Sequence, residues 1–128
     1  MSSEPRFRIS FWIEWGPSAY LWARNQAAED VFGGPNIPAD QIPISEQLYE
    51  RGEALAEWYQ NSLNWDFPNF PGPWRQDECD AFREHARAFF MDLCYELGPE
   101  FEVTYDQVEP DEDPDLDAYL HDPHNFRR

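Results

Sequence analysis

The chain has 128 residues, of which 26 are acidic, nine are arginine and none is lysine, so its formal net charge is −17. Its length is typical of one domain. Such a charge repels phosphate backbones and anionic membrane surfaces, so nucleic acid and membranes are excluded as expected partners and a basic protein is favoured. The absence of lysine also excludes Schiff-base chemistry and a phosphate-binding loop lysine.

The first predicted elements are two β-strands. Residues 6–15 alternate in polarity, and one face carries Phe7, Ile9, Phe11, Ile13 and Trp15. Alternation with aromatic and β-branched residues predicts a strand with one buried face. A turn signal at Gly16-Pro17-Ser18 lets residues 19–24 return as the second strand of a hairpin.

Two helices are predicted before the middle of the chain. Residues 25–32 favour a short helix that ends at Gly33-Gly34, and a proline-rich loop follows. Ser45 is the expected N-cap of a helix over residues 46–62. Gly52 lies in the apolar stripe of that helix, where it costs about 1 kcal/mol relative to alanine, which suggests close packing against a neighbour.

A proline- and aromatic-rich loop over residues 64–74 separates this helix from the next one. Proline removes backbone donors, so the loop is predicted to be extended. Asp77 is the expected N-cap of a long helix that ends at Gly98-Pro99. Its apolar stripe consists of Cys79, Phe82, Ala86, Phe89, Leu93 and Leu97.

The expected fold is α+β, a two-layer sandwich. Residues 101–105 alternate again and predict a last strand. This strand and the N-terminal hairpin would form a small antiparallel sheet covered by the two amphipathic helices. Residues 1–108 are predicted to form this single domain, and residues 109–128 an acidic C-terminal tail or ordered lip.

Cys79 and Cys94 are not expected to form a disulfide. Fifteen residues apart in one helix, they would lie about 22 Å apart, whereas a disulfide needs Cα atoms within about 7 Å. Without a signal peptide or a long apolar run, the expected location is the cytoplasm.

The sequence offers no strong candidate for catalysis. Cys94 and His85 would be about 14 Å apart along a helix, too far to interact. The alternating aspartates Asp111, Asp113, Asp115 and Asp117 partly follow a calcium loop, but Leu116 stands where that loop needs glycine. No metal or other cofactor is therefore expected. A small ligand-binding domain or enzyme with an aromatic cleft around Glu14, Trp12 and Trp22 remains an alternative.

The negative charge is concentrated near the C-terminus. Residues 92–128 hold 12 acids and two arginines, a net of −10. A fixed array of carboxylates can steer and bind a cationic protein surface, and aromatic residues supply central affinity. The predicted partner-binding residues are therefore Asp111, Glu112, Asp113, Asp115, Asp117, Tyr119, Asp122, Phe70 and Trp74. For the aromatic loop, packing in the core is the competing interpretation.

Five segments carry a resemblance to a known group of proteins: "FWIEW", "LWARN", "IPIS", "LNWDFPNFPGPW" and "LGPEFEV". Across residues 7–105 the chain resembles short acidic bacterial proteins that are similar to the immunity proteins of toxin–immunity pairs. The resemblance implies a stoichiometric inhibitor of a basic toxin, such as a nuclease. Its motifs are packing motifs, so it assigns no binding residue. A housekeeping interaction module with a solubilising tail is the remaining alternative.

Overall fold

The computed structural model describes residues 4–17 and 19–128, and its centre is a three-stranded sheet packed against helices. The elements in chain order are β1 (Phe7–Phe11), β2 (Leu21–Ala23), α1 (Gln26–Phe32), α2 (Glu46–Gln60), α3 (Gln76–Leu97), β3 (Phe101–Tyr105) and α4 (Leu116–His121). A short 3₁₀ turn, Ala39–Gln41, precedes α2. The α+β class and the two-layer arrangement are confirmed, because α2 and α3 both pack on the apolar side of β1 and its neighbours.

The sheet is mixed, with strand order β2-β1-β3. The hairpin prediction is confirmed, since β2 runs antiparallel to β1; Ser18 of its predicted turn lies outside the described residues. The expectation of a wholly antiparallel sheet is wrong, because β3 pairs with β1 in parallel, with Phe7 opposite Phe101. The 22 residues of α3 span about 33 Å. They therefore carry the chain back past the sheet, and β3 starts beside the start of β1.

The core follows the predicted alternation of the first strand. Phe7, Ile9 and Phe11 are all buried. The Phe11 ring lies 5.3 Å from Phe89 of α3 and 6.4 Å from Tyr20, centroid to centroid. Such aromatic pairs each contribute about 0.5–1.5 kcal/mol beyond their burial. Aromatic side chains therefore stabilise the packing of the helices on the sheet.

The two long helices begin in different ways. Ser45 caps α2 as predicted, its hydroxyl accepting a hydrogen bond from the Leu48 N–H at 3.1 Å. The prediction of Asp77 as the N-cap of α3 is wrong: the cap position is Arg75, whose side chain makes no capping hydrogen bond, and Asp77 lies in the first turn. Instead, the Gln76 N–H donates to Glu112 Oε1 at 3.0 Å. The C-terminal segment therefore caps α3.

Two further predictions are confirmed. A Cβ at Gly52 would lie 2.5 Å from the Tyr20 hydroxyl oxygen, so glycine permits the close approach of α2 to this ring. Cys79 and Cys94 are both free and both lie on α3.

Candidate partner interface

The acidic segment that follows β3 is attached to α3 by ion pairs. Arg87 of α3 donates two hydrogen bonds to Glu109, from Nε and Nη2, each 2.6 Å long. Tyr105 Oη donates a third at 3.1 Å. The hydrogen bonds from Arg87 lower the pKa of Glu109 against the opposing effect of burial. Burial and the Glu109 contact raise the pKa of Tyr105 to about 12.

The attachment continues toward the N-terminus of α3. Arg83 Nη2 donates to Asp111 at 2.9 Å, and Arg75 Nη1 donates to Asp117 at 2.7 Å. Between them, Glu112 and Gln76 bond reciprocally: the Gln76 N–H donates to Glu112 Oε1, and the Glu112 N–H donates to Gln76 Oε1 at 3.1 Å. A carboxylate at a helix N-terminus is also favoured by the helix dipole.

The far end of the segment is held by Arg128. Its guanidinium is paired with Asp113 and lies 4.0 Å from Asp115. Burial acts to raise the pKa of Asp113, but Arg128 and the Asp115 N–H outweigh it and lower that pKa. Asp122 instead accepts a hydrogen bond from Asn125 Nδ2 at 2.8 Å.

Six of the seven carboxylates between residues 109 and 122 thus pair with four arginines, and Asp122 is the exception. The seven carboxylates and four arginines together carry a net charge of −3. Leu116, the first residue of α4, is only 1% exposed, so its buried side chain anchors the segment to the protein interior. Five of the six predicted acidic binding residues are therefore held by arginines along one segment, and Asp122 follows at the end of α4. That residues 109–128 form a tail or lip separate from residues 1–108 stays a prediction.

Two of the predicted aromatic contacts lie beside this surface. The rings of Phe70, Tyr119 and Phe126 form a cluster with centroid distances of 5.3 to 5.6 Å. Asn64 Nδ2 donates to the Tyr119 hydroxyl at 3.1 Å, which ties the aromatic loop to α4. Phe70 and Tyr119 are each half-buried, so part of each ring faces solvent.

Trp74, the third predicted aromatic contact, lies in the core. It is 8% exposed, and its ring packs 5.5 Å from both Trp58 and Phe82. The competing interpretation of the loop is thus right for this residue, which supports the loop from within. Trp65 and Phe67 of the same loop are more than half exposed.

One face of α2 is acidic, and the predicted binding residues include none of its glutamates. Glu46, Glu50, Glu53 and Glu57 are all exposed. At about 100° per residue they fall within an arc of about 60° on the helix. Within residues 4–17 and 19–128, none of the four forms an ion pair. The spacing of three and four residues is readable in the sequence and was the available signal.

The alternative cleft around Glu14 has a different arrangement. The indoles of Trp12 and Trp22 stack on each other with centroids 4.3 Å apart, and Trp22 Nε1 donates to the Trp12 carbonyl at 2.8 Å. The Glu14 carbonyl accepts from Gln60 Nε2 at 3.0 Å. These rings therefore pack mainly against each other. Over the described part of the chain, no three His, Cys, Asp or Glu side chains are placed to bind a metal ion.

Comparisons with known proteins give the context for this surface. Every helix within the described residues is too short or too polar to cross a membrane. A search of curated proteins found no match. A family model described as Serratia CdiI immunity protein-like matches residues 8–108, a span that contains both long helices and all three paired strands apart from Phe7. The match covers well over half of the chain, so the protein belongs to the Serratia CdiI immunity protein-like family, and the resemblance to toxin-immunity proteins is confirmed.

Proposed function

We propose that the protein is an immunity-type inhibitor that binds a basic toxin, such as a nuclease, in the cytoplasm and neutralises it. The observation that carries the proposal is the family match over residues 8–108. The net charge of −17 supports a basic partner, because a nuclease needs cationic residues to hold phosphates. Opposite charges also raise association rates well above those of neutral pairs.

The proposed contact is the surface formed by the acidic segment and the aromatic cluster beside it. Its residues are Asp111, Glu112, Asp113, Asp115, Asp117, Asp122, Tyr119 and Phe70, with Trp74 supporting the loop from the core. The side chains of Asp111 and Asp117 are 71% and 83% exposed although each is paired with an arginine. Carboxylates already held in place lose little side-chain entropy on binding, and half-exposed rings can act as anchors.

The inhibitor role is tested by co-expression with the product of the neighbouring gene, which we expect to be the toxin. We expect the two proteins to co-purify as a stoichiometric complex in which the toxin's activity is lost. Affinity should fall as salt is raised, because surface charges are screened. A toxin that stays active and separate at low salt would refute the role.

The contact surface is tested separately by four neutral substitutions, Asp111→Asn, Asp115→Asn, Asp117→Asn and Asp122→Asn. The matched control neutralises four acids elsewhere: Glu29→Gln, Asp30→Asn, Glu84→Gln and Glu100→Gln. We expect the first set to slow association and weaken binding more than the control at low salt. Equal effects of the two sets would rule out this surface as the contact and leave the inhibitor role standing.

A further inference from the structure

A cavity of about 350 Å³ lies between the acidic segment and the C-terminal end of α2. Most of its wall is apolar or aromatic and includes Trp15 and Tyr59. Three carboxylates of the acidic segment also line it: Asp111, Glu112 and Asp113. Its volume is in the range of cavities that bind ligands, and Trp15 lies outside the contact surface proposed above.

Trp15 is the exposed aromatic wall of this cavity. It continues the alternation of β1 beyond the end of that strand at Phe11, yet it is 44% exposed. One face of its indole stacks on Tyr59, with centroids 5.4 Å apart and an interplanar angle of 10°. Its Nε1 donates to Ser62 Oγ at 3.0 Å, which fixes the ring. Because Tyr59 covers one face, the other face of a ring already held in place is open to a ligand.

Asp111 has a carboxylate oxygen available at the border of the cavity. Its Oδ1 accepts from Arg83 Nη2 at 2.9 Å and from Gln76 Nε2 at 3.3 Å. Among the described residues, no hydrogen bond reaches its Oδ2, and the side chain is 71% exposed. Arg83 also lies within 4 Å of Asp80 and Glu109, so its single charge is shared among three carboxylates. Asp111 can therefore accept from an incoming cation and keep its contact with Arg83.

We propose that this cavity binds an arginine side chain of the partner protein, with its guanidinium against the open face of Trp15 and hydrogen-bonded to Asp111. The apolar wall covers the methylene groups of such a side chain, and tryptophan gives the strongest cation–π contact of the aromatic residues. A guanidinium can stack on a ring and donate hydrogen bonds in its own plane at the same time. The net charge of −17 favours a cationic occupant over a neutral one. That the partner is a toxin rests on the proposed function, to which this inference adds Trp15 as an anchor.

The cavity can be tested without the toxin, by nuclear magnetic resonance at low salt with acetyl-Gly-Arg-Gly-amide as the probe. We expect saturable shifts of the Trp15 indole N–H and of the backbone amides of Ser62 and Asp111. Two matched probes replace the arginine by citrulline, which has nearly the same shape without the charge, or by norleucine, which is purely apolar. Both should bind about fivefold more weakly or worse, because each lacks the cation–π contact and the ion pair.

Substitutions in the full chain test the two proposed contacts one at a time. Asp111→Asn should raise the dissociation constant of the arginine probe about threefold, as expected for an exposed ion pair. Asp117→Asn removes the same charge from the same segment outside the cavity and should have a smaller effect. Trp15→Leu keeps an apolar wall but removes the aromatic face, and should also weaken binding about threefold. If Trp15→Leu does not fold, as its amide spectrum would show, the two aspartate variants decide.

Four results would overturn the cavity as an arginine site. They are absent shifts, shifts spread over the acidic face of α2, equal affinity for the citrulline or norleucine probe, and equal weakening by Asp111→Asn and Asp117→Asn. Because the probes are peptides, such a failure leaves the inhibitor role intact. Failure of the toxin complex would in turn leave the peptide result standing.

Discussion

Arg87 and Glu109 are joined by two hydrogen bonds, each 2.6 Å long. Glu109 lies four residues after the last strand ends at Tyr105. The contact fixes the chain to the middle of α3 just where the acidic segment begins. Further arginine pairs then hold Asp111 and Asp117 along the same helix. The carboxylates of this segment therefore have a structural role in positioning it, in addition to the binding role we propose.

The first prediction concerns the stability that Glu109 contributes. Glu109→Gln should lower the free energy of unfolding by about 1 kcal/mol, near the upper end for a surface ion pair, because the pairing is bidentate and the Glu109 side chain is only 23% exposed. Urea denaturation measures the loss. Asp92→Asn removes a carboxylate that pairs with Arg51 and is 54% exposed, so it should cost less; a larger loss there would contradict the assignment.

The pH dependence of this difference has a definite sign. The pKa of Glu109 is lower in the folded protein than in the unfolded chain, so its contribution is complete above the unfolded value of about 4.3. It is lost as the pH falls through the lower, folded pKa. The wild type and Glu109→Gln should therefore differ at pH 7 and converge in acid.

The second prediction compares two tyrosine hydroxyls. Tyr20→Phe removes a buried hydroxyl with no partner among the described residues and should raise the free energy of unfolding by about 1 kcal/mol. Tyr105→Phe removes a hydroxyl that donates to Glu109 and should lower it by a similar amount. Thermal and urea unfolding of the two variants measure both signs. Destabilisation by Tyr20→Phe would show that its hydroxyl is bonded in solution.

The third prediction concerns the close approach at Gly52. Alanine is favoured over glycine in a helix by about 1 kcal/mol, but its Cβ would lie 2.5 Å from the Tyr20 oxygen and 3.0 Å from a Phe89 ring carbon. Overpacking of this kind costs about 1–3 kcal/mol, and both rings are buried. Gly52→Ala should therefore be destabilising in urea. Ala54→Gly, at an exposed position of α2, measures the helix-propensity effect alone.

The features that could be predicted from the sequence depend on neighbouring residues. Alternation identified the buried face of β1, and Ser45 lies three residues before the N–H that it caps. The stripe from Cys79 to Leu97 recurs at helical spacing, and all six of its residues are buried. The place of Gly52 on an apolar face also predicted contact. In each case the determining residues are close along the chain.

The features that could not be predicted depend on distant residues. The parallel pairing of β3 with β1 is set by how far α3 carries the chain. Three of the four arginine partners of the acidic segment lie 22 to 42 residues before it in sequence, and Arg128 lies 15 residues after Asp113. The run of carboxylates therefore appeared unpaired when it was not. On α2, by contrast, the spacing of the four glutamates could be read from neighbouring residues alone.

The fourth prediction concerns the start of α3, where a carboxylate near in sequence and a distant one are competing candidates for the N-cap. Asp77 is near in sequence, yet Glu112, 36 residues away, accepts the hydrogen bond from the Gln76 N–H. Glu112→Ala should therefore lower the free energy of unfolding by about 1 kcal/mol, as the loss of an N-cap does. It should also speed amide hydrogen exchange in the first turn of α3. Asp77→Ala loses a favourable charge near the helix dipole and the hydrogen bond that Asp77 Oδ1 accepts from the Glu78 N–H, but it keeps the bond from the Gln76 N–H to Glu112. It should therefore cost less than Glu112→Ala; the reverse order would identify Asp77 as the cap.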